Sequence, residues 1–135
     1  MKKITPERYR EILQGLELRN IFLSEVKAKV KPELLSEGIK IDIKENSEFS
    51  FENDRLIVTT KYTLTTKRKS KKSILNIEAT YILEFNSKYE INDDFFEIYK
   101  EISLPLNTWP FFREFVNSIT ARMNIPPLVL PLLKR

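Results

Sequence analysis

WPFFREFVNSITARMNIPPLVLPL, residues 109–132, carries the most telling pattern in this chain. Phe112, Phe115, Val116, Ile119 and Met123 fall at i, i+3, i+4, i+7 and i+11, the repeat that gathers side chains on one stripe of an α-helix. Arg113, Glu114, Asn117, Thr120 and Arg122 fall mainly on the other side. Pro110 suits the first turn of a helix, and Asn107 and Thr108 just upstream have side chains that cap free N–H groups, so the helix is expected to begin there. Its end is marked by Asn124, the residue besides Gly that best accepts a left-handed conformation, and by Pro126–Pro127, which forbid continuation. An extended apolar segment, Leu128 to Leu133, follows.

Upstream of this helix the periodicity changes from 3.6 to 2. Thr5-Pro6-Glu7 opens a short first helix with the apolar stripe Tyr9, Ile12, Leu13 and Leu16, and Gly15 closes it. From Leu18 to Val30 the pattern is strand-like, with Leu18, Phe22, Val26, Ala28 and Val30 assigned to one face. Ile21 and Leu23 break the alternation and make that part apolar on both sides. Lys31 to Gly38 is a turn-rich connection carrying Leu34 and Leu35. A second strand spans Ile39 to Phe51, with Ile39, Ile41, Ile43, Phe49 and Phe51 on one parity, and the turn Glu52-Asn53-Asp54-Arg55 leads into a third, Leu56 to Thr66. The fourth strand, Ser73 to Phe85, puts Leu75, Ile77, Ala79, Tyr81, Leu83 and Phe85 on one face and mostly polar residues on the other, which predicts an antiparallel sheet with one wet side. Asn92-Asp93-Asp94 caps a second short helix carrying Phe95, Phe96, Tyr99 and Ile102, and Leu104-Pro105-Leu106 is expected to end it. The fold class predicted is α+β: a four-stranded antiparallel sheet with a short N-terminal helix and a long C-terminal one, residues 1–135 forming a single domain.

Composition narrows the chemistry. With no Cys and no His among 135 residues, disulfides, thiol catalysis, imidazole catalysis and the common zinc sites are excluded. Only Gly15 and Gly38 are glycines, so there is no Gly-rich phosphate loop. Asp93–Asp94 and the Glu52 to Asp54 pair are the compact carboxylate groups, and both sit where caps and turns want them. No enzyme, metal or cofactor is expected. Charged residues at 31% and hydrophobic ones at 41%, with no apolar run of spanning length, describe a soluble chain without membrane insertion. MKKITPERYREIL lacks a secretory core, which gives a cytoplasmic default.

Trp-Pro-Phe-Phe-Arg-Glu at 109–114, Ile119-Thr120-Ala121-Arg122, and Ile125-Pro126-Pro127-Leu128-Val129-Leu130-Pro131, in this order and spacing, resemble the main-helix signature of the SecB export chaperones. Ile77-Glu78-Ala79-Thr80-Tyr81 with Phe85 resembles the family's fourth strand, and Tyr9-Arg10 to Leu13 followed by Leu16 to Ile21 resembles its divergent SecB-like branch, which includes chaperones paired with toxin–antitoxin modules. The resemblance covers roughly Leu16 to Leu132. It implies an ATP-independent holdase for unfolded polypeptides, in protein export or in the service of a toxin–antitoxin module, assembled as a homotetramer, a dimer of dimers. It assigns oligomer packing to Phe112, Phe115, Val116, Ile119 and Met123. Client binding is expected at Phe22, Leu34, Leu35, Ile43, Phe49, Phe51, Phe111, Leu128 and Leu130. Glu78 matches one carboxylate through which SecB docks the SecA motor, whereas Asn20, Ser24 and Asn76 stand where the resemblance expects Asp, Glu and Leu, which argues against SecA docking. The family's second C-terminal helix is not expected in a sequence running to Arg135, and its paired glycines are replaced by Met123-Asn124.

The physical case for a holdase stands beside the resemblance. An unfolded client offers apolar side chains and unpaired backbone, so its binder needs extended apolar grooves and no unique geometry. Among nine Phe, five Tyr and one Trp some are expected to serve the core, but Phe22, Phe49, Phe51, Phe95, Phe96 and Phe111 together exceed what a small sheet-and-helix core requires. The competing reading is nucleic-acid binding through the basic run Lys67 to Lys72, with Lys61 and Tyr62 nearby. Phosphate contacts need clustered cations, which the run has, but base stacking needs exposed aromatics beside them.

Overall fold

Residues 4–31, 40–67, 73–125 and 129–131 are described by the computed structural model. Along the chain these form α1 (Pro6–Gln14), β1 (Leu16–Val30), β2 (Lys40–Glu52), β3 (Arg55–Lys67), β4 (Ser73–Ser87), α2 (Asp93–Ile102) and α3 (Leu104–Arg122). The strands make one antiparallel sheet in the order β1-β4-β3-β2, so β1 and β2 are its two edges. The α+β architecture predicted from the alternation is the one formed.

Strict period-2 patterning sorts the central strands. Leu56, Val58, Tyr62 and Leu64 on β3 and Leu75, Ile77, Ala79, Tyr81, Leu83 and Phe85 on β4 are buried under the helices. The intervening residues face the open side and remain partly exposed, with Ile74, buried near the start of β4, as the exception. Asn53 and Asp54 join β2 to β3 with φ of 53° and 63°. Two successive left-handed residues are the mark of the tight hairpin turn whose twist matches the flanking strands. Ile41, Ile43, Phe49 and Phe51 pair with Thr66, Leu64, Val58 and Leu56, so they share the covered face as expected.

β1 departs from simple parity. Its register against β4 slips between Leu18 and Asn20 and again between Leu23 and Glu25. Each bulge adds one residue and reverses the facing of everything after it. Leu18, Ile21, Leu23, Val26, Ala28 and Val30 therefore share the covered face, opposite Phe85, Leu83, Tyr81, Ala79, Ile77 and Leu75. Phe22 lies on the other face, opposite Ile82. This corrects the assignment of Phe22 to the face of Leu18 and Val26. The apparent two-sidedness at Ile21 and Leu23 is the sequence trace of the bulges.

Capping sets the helix ends. Thr5 Oγ1 accepts from Arg8 N (3.1 Å) and Asn92 Oδ1 from Phe95 N (3.0 Å), opening α1 and α2. Gly15 is required by space and not by conformation, since a Cβ there would sit 2.9 Å from the Tyr89 ring. The main helix starts earlier than expected. Leu104 and Pro105 form its first turn, so Pro105 takes the position assigned to Pro110, and Pro110 lies inside the helix. Thr108 is not a cap. Its buried hydroxyl bonds Leu104 O (3.1 Å) and Tyr62 Oη (2.7 Å). Thr120, placed by periodicity on the outer side, is also fully buried, its hydroxyl satisfied by Val116 O (2.8 Å) and Asn117 O (3.1 Å). A threonine that returns its hydroxyl to the preceding turn can face a core. The helix closes as predicted, with Asn124 at φ 60°.

Aromatic rings tie the layers together. Phe112 stacks on Tyr62 with centroids 4.7 Å apart, Phe96 meets Phe49 at 4.6 Å, and Tyr9 meets Phe95 at 5.0 Å. The hydroxyls of Tyr9 and Ser103, 2.7 Å apart, join α1 to the α2–α3 junction.

Candidate functional site

An open cleft of ≈ 610 Å³ lies between edge strand β2 and the helices. Ile43, Glu45, Asn46 and Ser47 come from β2, Tyr62 from β3, Lys100 and Glu101 from the end of α2, and Pro105 and Trp109 from α3. It lies where α2 gives way to α3 at Ser103, beside a stretch of β2 where Glu45 and Ser47 stand on the face that carries Phe49 and Phe51 farther along. Trp109 packs edge-on to Tyr62 at 5.8 Å, giving the cleft an aromatic wall. Glu45, Lys100 and Glu101 make its rim polar, and Lys100 Nζ pairs with Glu97 at 3.2 Å. Burial pushes the Tyr62 phenol well above its ordinary range, opposed by the bond to Thr108 and reinforced by the Glu45 carboxylate. The ring enters the cleft floor as a neutral group.

A second apolar surface borders α3. The helices cover β3 and β4 but leave the same side of β1 open, where Leu18, Leu23 and Val26 are 43%, 42% and 48% exposed. Phe111, 50% exposed, leans over Tyr81, the cross-strand partner of Leu23.

The residues expected to bind clients are dispersed by the fold. Ile43 lines the cleft. Phe49 and Phe51 are half-buried farther along β2, Phe22 is on the open face of the sheet, and Phe111 borders β1. Leu130 is 3% exposed and belongs to the core, so it is not a client contact in this conformation. Leu34, Leu35 and Leu128 lie outside the described residues, as does most of the basic run after Lys67. The helix stripe assigned to oligomer packing divides. Phe112 and Val116 are fully buried against the sheet and cannot reach a second copy, whereas Phe115, Ile119 and Met123 are half-buried along the flank of the helix. Periodicity could not separate these groups, because residues three and four apart both fall within one stripe.

Glu78 is on the open face, its carboxylate 2.8 Å from Lys61 Nζ and its backbone opposite Lys27. The hydrogen bond from Lys61 holds the Glu78 carboxyl below its usual range. Its charge is therefore already matched within the protomer. Trp109, Tyr62 and Pro105, which build the cleft, are not among the residues the sequence assigns to client binding. The available signal is Trp109 as the lone tryptophan in a helical stretch rich in aromatics.

The sequence matches no protein-family model and no curated protein. The fold does match solved structures. The SecB-like chaperone Rv1957 of Mycobacterium tuberculosis, in complex with a ChAD peptide from the Rv1956 HigA1 antitoxin, superposes with a TM-score of 0.77 at 20% identity, covering 95% of this chain and 98% of that one. A protein of unknown function from Streptococcus agalactiae superposes at a TM-score of 0.49 with 7% identity, over 87% of this chain and 97% of that one. Four antiparallel strands in one sheet, a short leading helix and a long helix across one face thus give this chain a SecB-like fold, the one seen in the Rv1957 structure.

Proposed function

We propose that this protein is an ATP-independent chaperone that holds non-native polypeptide in the cleft beside β2, working in the cytoplasm as a homo-oligomer. The observation that carries this reading is the cleft itself. It adjoins an edge strand, so an extended client segment has backbone groups to pair with while its apolar side chains reach Ile43, Pro105 and Trp109. The antitoxin peptide in the Rv1957 complex supports polypeptide as the ligand class. It also favours a second reading, a chaperone dedicated to one antitoxin in place of many exported clients. A panel of unrelated denatured clients separates the two, since only a general holdase protects most of them.

The assay is light scattering of an aggregation-prone client diluted from denaturant without nucleotide. A several-fold excess of the protein is expected to delay aggregation. Ile43→Asp, which adds a carboxylate beside Glu45 and Glu101, is expected to weaken client binding by about tenfold. An unchanged aggregation curve with the parent protein would refute the holdase reading.

Self-association follows from β1. Phe22 placed opposite its own copy in an antiparallel pair sets Glu17 against Lys27, Arg19 against Glu25, Leu18 against Val26 and Ile21 against Leu23. Charges oppose, and the apolar residues of the covered face meet on one side, as a self-complementary twofold interface requires. Sedimentation is expected to return a multiple of 16.0 kDa. Glu25→Lys sets like charges together and is expected to lower that mass, whereas Arg19→Glu combined with Glu25→Lys restores it. A single-protomer mass for the parent at micromolar concentration would overturn the interface.

A further inference from the structure

Trp109 Nε1 donates to Pro131 O at 2.9 Å, and Arg113 Nε donates to Leu130 O at 2.7 Å. The two donors are one helical turn apart on α3 and hold consecutive carbonyls of a segment that leaves the helix more than six residues earlier. Leu130 anchors that segment, with 3% of its surface exposed, while neighbouring Val129 is 64% exposed. The same Trp109 forms the wall of the cleft.

From this geometry we propose that residues 129–131 act as a latch that positions Trp109 for polypeptide binding, with Arg113 as the positioning residue. The proposal rests on the chaperone reading of the cleft. Indole has one polar atom, and Pro131 occupies it, so the ring offers the cleft hydrocarbon without leaving an N–H unpaired in an apolar contact. Contacts with Tyr62 at 5.8 Å and Phe112 at 6.1 Å leave the ring few other orientations. Arg113 does not line the cleft. Its effect on binding must pass through the latch. A guanidinium bonded to a carbonyl is a charge-assisted contact, among the stronger side-chain hydrogen bonds, which suits a restraint on the segment. The Trp and Arg positions in the middle of α3 and the Leu-Pro segment after it are thus a single physical unit, although about twenty residues separate them.

Because Trp109 is the only tryptophan, its emission reports the latch directly. Arg113→Met, which keeps the aliphatic stem and removes the donor, is compared with the parent and with Arg113→Lys. The readouts are tryptophan emission and acrylamide quenching, the anisotropy of a labelled, carboxymethylated unfolded client, and far-UV circular dichroism to establish that each variant is folded. Arg113→Met is expected to shift emission to the red, to raise quenching, and to weaken client binding about fivefold, the worth of one net hydrogen bond. Arg113→Lys is expected to recover part of both. If Arg113→Met fails to fold, Arg113→Leu, which also removes the donor and leaves Trp109 in place as the reporter, replaces it, and the same red shift and about the same loss of affinity are expected. Parent-like affinity in a folded donor-less variant overturns the latch and leaves the chaperone reading standing. Absence of client binding by the parent overturns that reading and the latch together.

Discussion

Phe112→Ala is expected to lower the free energy of unfolding by about 4 kcal/mol, the cost of removing a fully enclosed phenylalanine and leaving its cavity behind. Phe112 is completely buried, stacks on Tyr62 within 14° of parallel, and touches the ring of Trp109, so aromatic contacts add to the hydrophobic loss. Small domains have about 5–15 kcal/mol in total, which makes this a large fraction. The adjacent Phe111 is the internal control. Half of its surface is exposed, and Phe111→Ala is expected to cost no more than about 1 kcal/mol. Urea denaturation of both variants measures the difference through their midpoints. Equal midpoints would mean that the helix is rotated from the orientation described, exchanging the environments of two neighbouring rings.

Alkaline pH is expected to unfold the protein cooperatively. Burial pushes the Tyr81 phenol up to about 12, with the Glu114 carboxylate adding to the effect. The same cause holds Tyr62 and Tyr99 well above the ordinary value of 10.0, and burial raises Tyr9 as well, opposed by its bond to Ser103. The sign follows from the neutral phenol being the form the core accepts. Below pH 10 both states keep the proton and the full stability is present. As pH rises above 10 the unfolded chain ionises while the folded one does not, so stability falls by about 1.4 kcal/mol per pH unit for each such ring. Across two pH units three rings lose on the order of 8 kcal/mol, comparable to the stability of a whole small domain. Tyrosinate absorbance should therefore appear together with loss of the far-UV circular dichroism signal. Gradual tyrosinate formation near pH 10 by all rings, with the dichroism intact, would show that the rings are open to solvent. Tyr62→Phe removes one ionising group and is expected to move the midpoint to higher pH, although Thr108 retains its bond to Leu104 O.

The nucleic-acid alternative is not favoured by the neighbours of the basic run. Tyr62, the aromatic residue near it in the sequence, is buried under α3, and Lys61 is paired with Glu78. Exposed stacking surfaces are what single-stranded binding demands, and Tyr62 does not supply one.

Sequence alone determined the features in which each residue answers to its near neighbours in the chain. The alternation of β3 and β4, the left-handed Asn53–Asp54 and Asn124, and the caps Thr5 and Asn92 all follow from local sterics and hydrogen bonding over a few residues. The α+β class needs only these. Tertiary structure decided the rest, because it depends on what lies opposite. Phe22 changes face through bulges registered against β4, Thr108 and Thr120 become core residues because they satisfy their hydroxyls within their own helix, and Phe112 is enclosed while Phe111 is left half exposed by which side of α3 meets the sheet. The cleft gathers residues 43 to 109, and the latch joins 109 and 113 to 130 and 131. Periodicity reports that a residue is apolar on a given side of its own element; only packing fixes whether that side meets the sheet, another copy or a client.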